Sequence, residues 1–485
     1  MIKYKLFILI IISCIVIPLS GCSKSTTTEC PIDQELIDGR CQIITFEPPT
    51  CDDGYSPFEN KCVNDSNLNP FERTYTLEEV TQDFDQIISV LNLYNPLLFG
   101  NKDDIDEFVD QQRQLLYDNM TIYEFYRITS PIAMAYKCGH TVLNLDYDVY
   151  RFTYDNALFF PLDVRIINNQ IVVIGRNEAY GIPNGSVITK INGRYTNNIL
   201  EELLAYVPAD GDSVNGRYAK LNQRFAMTYY YLYPSETFEL TYKEPNSTIT
   251  HSITINAEKM DTITANASIE QEELLPFKSE IKESYAILTI KSFSAYGSYT
   301  NNDFYDFFNE FFTTIETNDI QHVIIDIRQN WGGDPLIASD LFSYIASYSQ
   351  QYFSDDSPTY YSTLSSEVPL SEPHYNGNLY ILIDGITFST AGHFAALVKS
   401  QNIGVFIGSE TSGSFAVADS HIEVRLNNTN LQLYTSREIW KVDVDNLPIG
   451  RGIIPDYPVY PSWEDYVNNI DRVMQFTLDL INSNL

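Results

Sequence analysis

Three short loops towards the C-terminal end of this 485-residue chain carry groups suited to acyl transfer. One is Asp384-Gly-Ile-Thr-Phe-Ser389-Thr-Ala-Gly392. It follows the apolar run Leu379-Tyr-Ile-Leu-Ile383, which suits a buried strand, and leads into a helical stretch from 389 to about 399. A serine at such a turn presents its hydroxyl where the helix dipole favours developing negative charge. The next amide, of Thr390, can donate to the same oxyanion. Serine is also a favoured N-cap, and that role alone would account for it. A second loop, Asp326-Ile-Arg-Gln-Asn-Trp-Gly-Gly-Asp334, follows the apolar run Val323-Ile-Ile-Asp-Ile327. Adjacent Gly332 and Gly333 let the backbone turn its N–H groups into a cavity, as an oxyanion hole requires; a plain tight turn needs the same pair. The third loop, Gly450-Arg-Gly-Ile-Ile-Pro-Asp456-Tyr-Pro-Val459, reads as a turn into a closing strand.

In this order the loops resemble the family of serine peptidases that contains the C-terminal-processing (tail-specific) enzymes and the tricorn core protease. Its members share an Asp-x-Arg-x-Asn-x-Gly-Gly loop, a serine at a strand-to-helix turn and a Gly-x-x-Pro-Asp segment. The resemblance spans roughly residues 75–475 of this chain. It implies hydrolysis of peptide bonds through an acyl-enzyme, with Ser389 as nucleophile and Gly333, Gly332 and Thr390 as oxyanion donors. It implies no cofactor. One branch of the family takes its base from a lysine in Thr-x-Gly-Lys. Here that segment is Thr411-Ser-Gly-Ser414, so a Ser–Lys dyad is excluded, and Lys399 lies too far along the helix after Ser389. The other branch uses a histidine, often in Gly-His-Thr, which points to Gly139-His140-Thr141. An imidazole titrates near neutral pH and suits a general base. His393, one helical turn after Ser389, is the local rival. Ile449 stands where family triads place a glutamate. The third member is therefore open between Glu438, Asp443 and Asp445, or a carbonyl or water. Cys138, two residues from His140, could form a Cys–His pair, but a buried or merely free thiol is preferred. No His/Cys/acid cluster has metal-ligand spacing along the chain, so no metal is expected.

The elements that must position these groups fall into three textures. Residues 76–95, 103–117 and 121–136 read as helices, the first with a Thr76/Glu79 capping box. From about 157 the pattern turns to strands (Leu162–Ile167, Ile171–Ile174, Ser186–Ile191), with an Asn192-Gly193 turn and a helix at 197–206. The stretch 181–193 resembles a PDZ-like domain. From about 275 strands and helices alternate, an α/β layered pattern that includes an aromatic helix at 302–316. The fold class expected is multidomain α+β. With the resemblance this becomes an N-terminal helical domain (73–150), a PDZ-like β-domain (151–260) and an α/β crotonase/ClpP-like peptidase core (275–485).

The N-terminus reads as an export signal. Lys3 and Lys5 precede an apolar run from Leu6 to Leu19, and Leu19-Ser-Gly-Cys22 resembles a lipobox. Residues 1–21 are expected to be removed and Cys22 to carry lipid, which places the protein outside the cytoplasm, lipid-anchored to the cell membrane. Residues 22–72 form a tether. In it Cys30, Cys41, Cys51 and Cys62 repeat with period 21, each pair enclosing ten residues. In an oxidising compartment this reads as two disulfide loops, with three pairings open; zinc sites usually space their cysteines more closely. Loss of Lys3 and Lys5 takes the net charge from −34 to −36, which excludes nucleic acid as a partner and leaves protein or peptide substrate and the membrane. Oligomeric state is not legible. Two readings from other classes stand beside the peptidase: a peptide- or ligand-binding lipoprotein that has lost chemistry on the same scaffold, and a surface adhesion protein.

Overall fold

The structure, a computed structural model, describes residues 34–37, 40–43, 55–58, 61–64, 70–265 and 275–484. The signal segment, Cys22, Cys30 and Cys51 lie outside the described residues. The chain divides into two compact units, residues 1–64 and 65–485.

In the first unit the 21-residue cysteine repeat is a repeat of hairpins. Gln34–Ile37 pairs with Arg40–Ile43, and Tyr55–Phe58 pairs with Lys61–Asn64 in the same antiparallel register. Cys41 and Cys62 occupy equivalent positions, opposite Leu36 and Pro57. Cys62 is disulfide-bonded; the pairing lies outside the described side chains.

The second unit begins with helices Leu77–Tyr94, Lys102–Arg113 and Ile122–Ala135. The first opens on the Thr76/Glu79 capping box, which satisfies two backbone donors at once. A further helix, Tyr147–Asn156, runs through residue 150, where the sequence places a domain boundary. The helices bury Phe84, Ile87, Phe125 and Ile132 against one another and against Leu426, Leu431 and Leu433 from the distant C-terminal part. Next comes an antiparallel sheet whose order in space is Thr250–Asn256, Thr237–Lys243, Val187–Ile191, Gln170–Gly175, Asp163–Ile167. Asn192 and Gly193, both at positive φ, make the tight turn into Arg194–Tyr195. Two helices, Thr196–Leu204 and Val214–Leu232, cover the sheet. The longer one is absent from the sequence reading. Gly216 and the β-favouring run Tyr229-Tyr-Tyr231 mask a helical stripe of Leu221, Phe225 and Tyr229.

The last layer is a six-stranded sheet in the order Phe277–Ile281, Ala286–Ile290, His322–Asp326, Asn378–Ile383, Val405–Gly408, Tyr457–Pro458. All its pairings are parallel except the first. Strand alternation sends Leu288, Ile325 and Ile381 to one face, beneath Asn301–Thr317, Pro335–Ser343 and Thr390–Ser400. Ile287, Ile324 and Leu382 face the other way, beneath the C-terminal helix Arg472–Asn484. Burial on both faces is why these strands are continuous apolar runs.

The long connection between the last two strands ties the halves together. Within it Ile422–Arg425 pairs with Gln432–Thr435, which in turn pairs with Val142–Asn144, just after His140. The tip of that hairpin rests on the buried carboxylate of Asp83, which accepts from Asn428 N (3.0 Å), Thr429 N (2.7 Å) and Thr429 Oγ1 (2.6 Å). Among the described residues no helix is long and apolar enough to cross a membrane.

Candidate active site

Ser389 caps the helix Thr390–Ser400 but makes no side-chain cap hydrogen bond. Its backbone sits at φ 54°, ψ −127°, a conformation that L-residues rarely adopt. The turn is set by the loop before it: Asp384 Oδ1 accepts the amides of Ile386 (2.9 Å) and Thr387 (3.1 Å), and Thr387 Oγ1 donates to Ile327 O (3.0 Å). The hydroxyl thus turns away from capping and meets His140, whose Nε2 lies 3.2 Å from Ser389 Oγ across 249 positions of sequence.

The Gly139-His140-Thr141 segment is held from several directions. Gly139 packs so closely on Phe388 that a Cβ would lie 2.4 Å from Cζ, and its N–H donates to Asp210 Oδ1 (2.8 Å). The His140 ring packs on Phe388 with centroids 4.6 Å apart. Thr141 Oγ1 accepts from Asn95 Nδ2 (2.9 Å).

The carboxylate facing His140 is Asp419, Oδ2 3.6 Å from Nε2, with His421 Nδ1 3.2 Å away on its other side. This corrects the sequence candidates. Glu438 pairs with Asp419 in the adjacent ladder, and its Oε1 accepts from Tyr360 OH (2.6 Å). The charges that press on Asp443 are those of Asp445 and Asp355, not of His140. Asp419 approaches the same nitrogen as Ser389, while His140 Nδ1 is buried without a hydrogen-bond partner. Burial holds the His140 pKa below its ordinary value, and the Lys220 ammonium adds to this. Asp419 and the Ala418 carbonyl oppose it, though the carbonyl forms no well-made hydrogen bond to Nδ1.

The glycine pair splits in role. Gly332 donates its N–H to Asn330 Oδ1 (2.8 Å), so that amide is already engaged and the expected second oxyanion donor is corrected. What Gly332 supplies is space: at φ 103° a Cβ there would lie 2.7 Å from Ser389 Cβ and 2.9 Å from Thr390 N. Gly333 bridges to Phe293 through its neighbours' groups, Gly332 O and Asp334 N, which leaves its own amide outside that ladder. Its carbonyl accepts from Thr390 Oγ1 (2.5 Å). Thr390 opens the helix, where amides have no intrahelical acceptor. Gly333, Ser389 and Thr390 line one cavity of about 300 Å³, with Phe353, Val417 and Trp440.

Of the other candidates, His393 is buried in the cavity wall, its pKa pushed down to about 3 chiefly by burial. Ser414 Oγ donates to Ala416 O (2.8 Å), and Lys399 pairs with Asp456, which also accepts the Phe406 amide (2.9 Å). Asp326 and Asp471 both grip Arg328, fixing the glycine loop to the C-terminal helix. Cys138 is buried against Ala418 O (3.4 Å) and Ser436 Oγ (3.2 Å). Sequence reasoning missed Lys220, on the hidden helix Val214–Leu232. Its ammonium lies 4.2 Å from the Phe388 ring centroid and donates to Pro208 O (3.0 Å), and burial lowers its pKa. It also missed Asp210, buried and raised in pKa by that burial, whose carboxylate joins Cys138 and His140 in one cluster.

Residues 284–459 match the model of Peptidase family S41. No curated protein matches the chain. Among solved structures, mature CPAF complexed with lactacystin superposes with a TM-score of 0.59 at 12% identity, over 84% of this chain and all of that one. The photosystem II D1 C-terminal processing protease (TM-score 0.39, 12% identity, 79% and 93% covered) and the tricorn protease (0.39, 15%, 84% and 37%) are also similar. The chain carries an S41 peptidase domain. It is a serine-type peptidase.

Proposed function

We propose that the protein is a lipid-anchored, extracytoplasmic serine peptidase in which Ser389 is the nucleophile and His140 the base. The observation that carries this is the 3.2 Å approach of His140 Nε2 to Ser389 Oγ, at a serine whose backbone is strained and whose hydroxyl caps nothing. Ser389 Oγ bonds to the scissile carbonyl carbon while its proton passes to His140 Nε2. The carbonyl oxygen gains the negative charge, and the amides of Gly333 and Thr390 receive it. Collapse breaks the C–N bond, His140 returns the proton to the leaving amine, and water then hydrolyses the acyl-enzyme by the same relay. The imidazolium formed midway lies beside Asp419, whose charge stabilises it.

The cavity sets the apolar walls of Phe353, Val417 and Trp440 beside the polar groups of Asp419, Ser420 and His421, and receives a substrate side chain next to the cleaved bond. The antiparallel sheet of residues 163–256 acts as a PDZ-like module that receives an extended chain at an edge strand. Cys22 anchors the chain by its lipid. The two hairpins of residues 34–64, each closed by a disulfide, form a protease-resistant stalk.

The test uses the mature chain beside Ser389→Ala and His140→Ala, with an unfolded casein substrate and a fluorophosphonate probe. Cleavage and labelling by the parent, lost in Ser389→Ala and reduced by orders of magnitude in His140→Ala, are expected. Cleavage by His140→Ala at a rate near the parent's removes His140 as base.

A further inference from the structure

We infer that Cys138, His140 and Asp210 form a binding site for a thiophilic divalent cation of the zinc class, and that its occupation switches the peptidase off. One ligand atom from each residue lies within 4.8 Å of the other two. Linear spacing hides the cluster, because Asp210 arrives from the loop after Thr196–Leu204. The second observation concerns unsatisfied atoms. Asp210 Oδ2 and His140 Nδ1 are both buried and both lack a hydrogen-bond partner. Asp210 is only 2% exposed. A buried carboxylate oxygen left unpaired is unfavourable, and a cation satisfies it. Lys220, the nearest resident cation, donates to Pro208 O and not to this oxygen. Asp210 is also positioned, since its other oxygen accepts the Gly139 amide at 2.8 Å.

The donor set selects the ion. Thiolate, imidazole and carboxylate together suit zinc and its neighbours, whereas calcium and magnesium take oxygen ligands. Bonds of about 2.0–2.3 Å in a tetrahedron set ligand atoms about 3.5 Å apart, so binding draws the three inward by about 1 Å. Three protein ligands leave a fourth position for water. On binding, Cys138 releases its thiol proton to solvent and the sulfur lone pair forms the metal bond. It gives up two modest contacts, to Ala418 O and Ser436 Oγ.

The consequence for activity follows from the imidazole. If the ion takes Nδ1, the neutral ring must carry its proton on Nε2, which can then donate to Ser389 but cannot accept from it. If the ion takes Nε2, it occupies the lone pair directly. Either way the base is lost, and this part of the inference rests on the proposed Ser389–His140 chemistry. Metal binding itself does not.

The experiment separates the two. With the mature chain carrying Ser389→Ala, titration with cobalt(II) is expected to give one ion per chain and a thiolate-to-cobalt charge-transfer band, absent in Ser389→Ala/Cys138→Ala. With the parent, zinc chloride is expected to suppress casein cleavage, reversibly by chelator. Cys138→Ala is expected to cleave normally without metal and to need at least roughly 10-fold more zinc for half inhibition. Cys138→Ser, nearly isosteric and a poor zinc ligand, is expected to do the same and guards against misfolding. Absence of the cobalt band, or zinc inhibition of both cysteine variants at the parent's concentration, overturns the site. A cobalt band with undiminished cleavage overturns the switch. A cobalt band in a parent that never cleaves refutes the nucleophile assignment and leaves the site standing.

Discussion

Replacing Ser389 by glycine and by alanine separates its catalytic role from its conformational one. Both variants lose the nucleophile, and both are expected to be inactive. Their stabilities should differ in an unusual direction. Alanine keeps the Cβ and therefore the strain of φ 54°, ψ −127°, which costs about 1–3 kcal/mol at a non-glycine residue. Glycine relieves that strain but loses about 0.5–1 kcal/mol more backbone entropy on folding. No cap bond is lost in either case, because the Ser389 hydroxyl makes none. The glycine variant is therefore expected to be more stable than the alanine variant by about 1 kcal/mol, and by no more than about 2.5 kcal/mol, and to equal or exceed the parent. The assay is urea unfolding followed by fluorescence, with midpoints compared at equal m-value. Alanine as stable as glycine, or more so, would refute the claim that the serine is held in a strained backbone for its chemistry.

Four further outcomes follow from the same geometry. Because burial, with Lys220 adding to it, holds the His140 pKa below the ordinary imidazole value, the acid limb of cleavage should lie below that of a free imidazole; Asp419→Asn removes the charge that favours the imidazolium. Its acid limb should move lower still, by about one unit, with roughly ten-fold slower turnover, and a limb that moves upward would remove Asp419 from the site. Since the folded-state pKa of His140 is depressed, the linked stability is fully present above its unfolded value and declines as pH falls through that value; far-UV melting at pH 7 and pH 4 measures this against His140→Ala. Gly332→Ala drives a Cβ to 2.7 Å from Ser389 Cβ and should lower kcat by at least roughly 100-fold with the chain still folded, as read by burst-phase labelling. Asp83→Ala strips the acceptor from Asn428 and Thr429 and should cost about 2–4 kcal/mol in urea unfolding, and kcat should fall with it because the hairpin pairs with the strand after His140.

Much of the scaffold is written locally. The strands around Leu288, Ile325 and Ile381 are apolar because helices cover both faces, and such runs can be read without a partner in view. The first three helices announce themselves by their spacing and, for Leu77–Tyr94, by a capping box that needs only four residues. The helix Val214–Leu232 does not, because its tyrosines and glycine favour other conformations and only packing on the sheet overrides them. With that helix Lys220 stayed hidden, and with the loop before it Asp210.

The sequence by itself determined the serine turn, the glycine pair and the Gly139-His140-Thr141 segment, since each is a short-range arrangement of backbone and side chain. Which groups meet was decided only in three dimensions. Asp419 faces His140 where the candidates Glu438, Asp443 and Asp445 do not, because the Ala416–Asp419 strand pairs with Glu438–Lys441 and carries Asp419 to the ring. Gly332 donates to Asn330 and leaves Gly333 to line the cavity. Cys138, His140 and Asp210 converge although the chain separates the last from the first two. Gly332 and Asn330 are only two positions apart, and there the conformation of the turn decides. For the other two the reason is shared: strand register and loop closure act over tens to hundreds of positions, and no local pattern of residue types encodes the distance between two side chains that far apart.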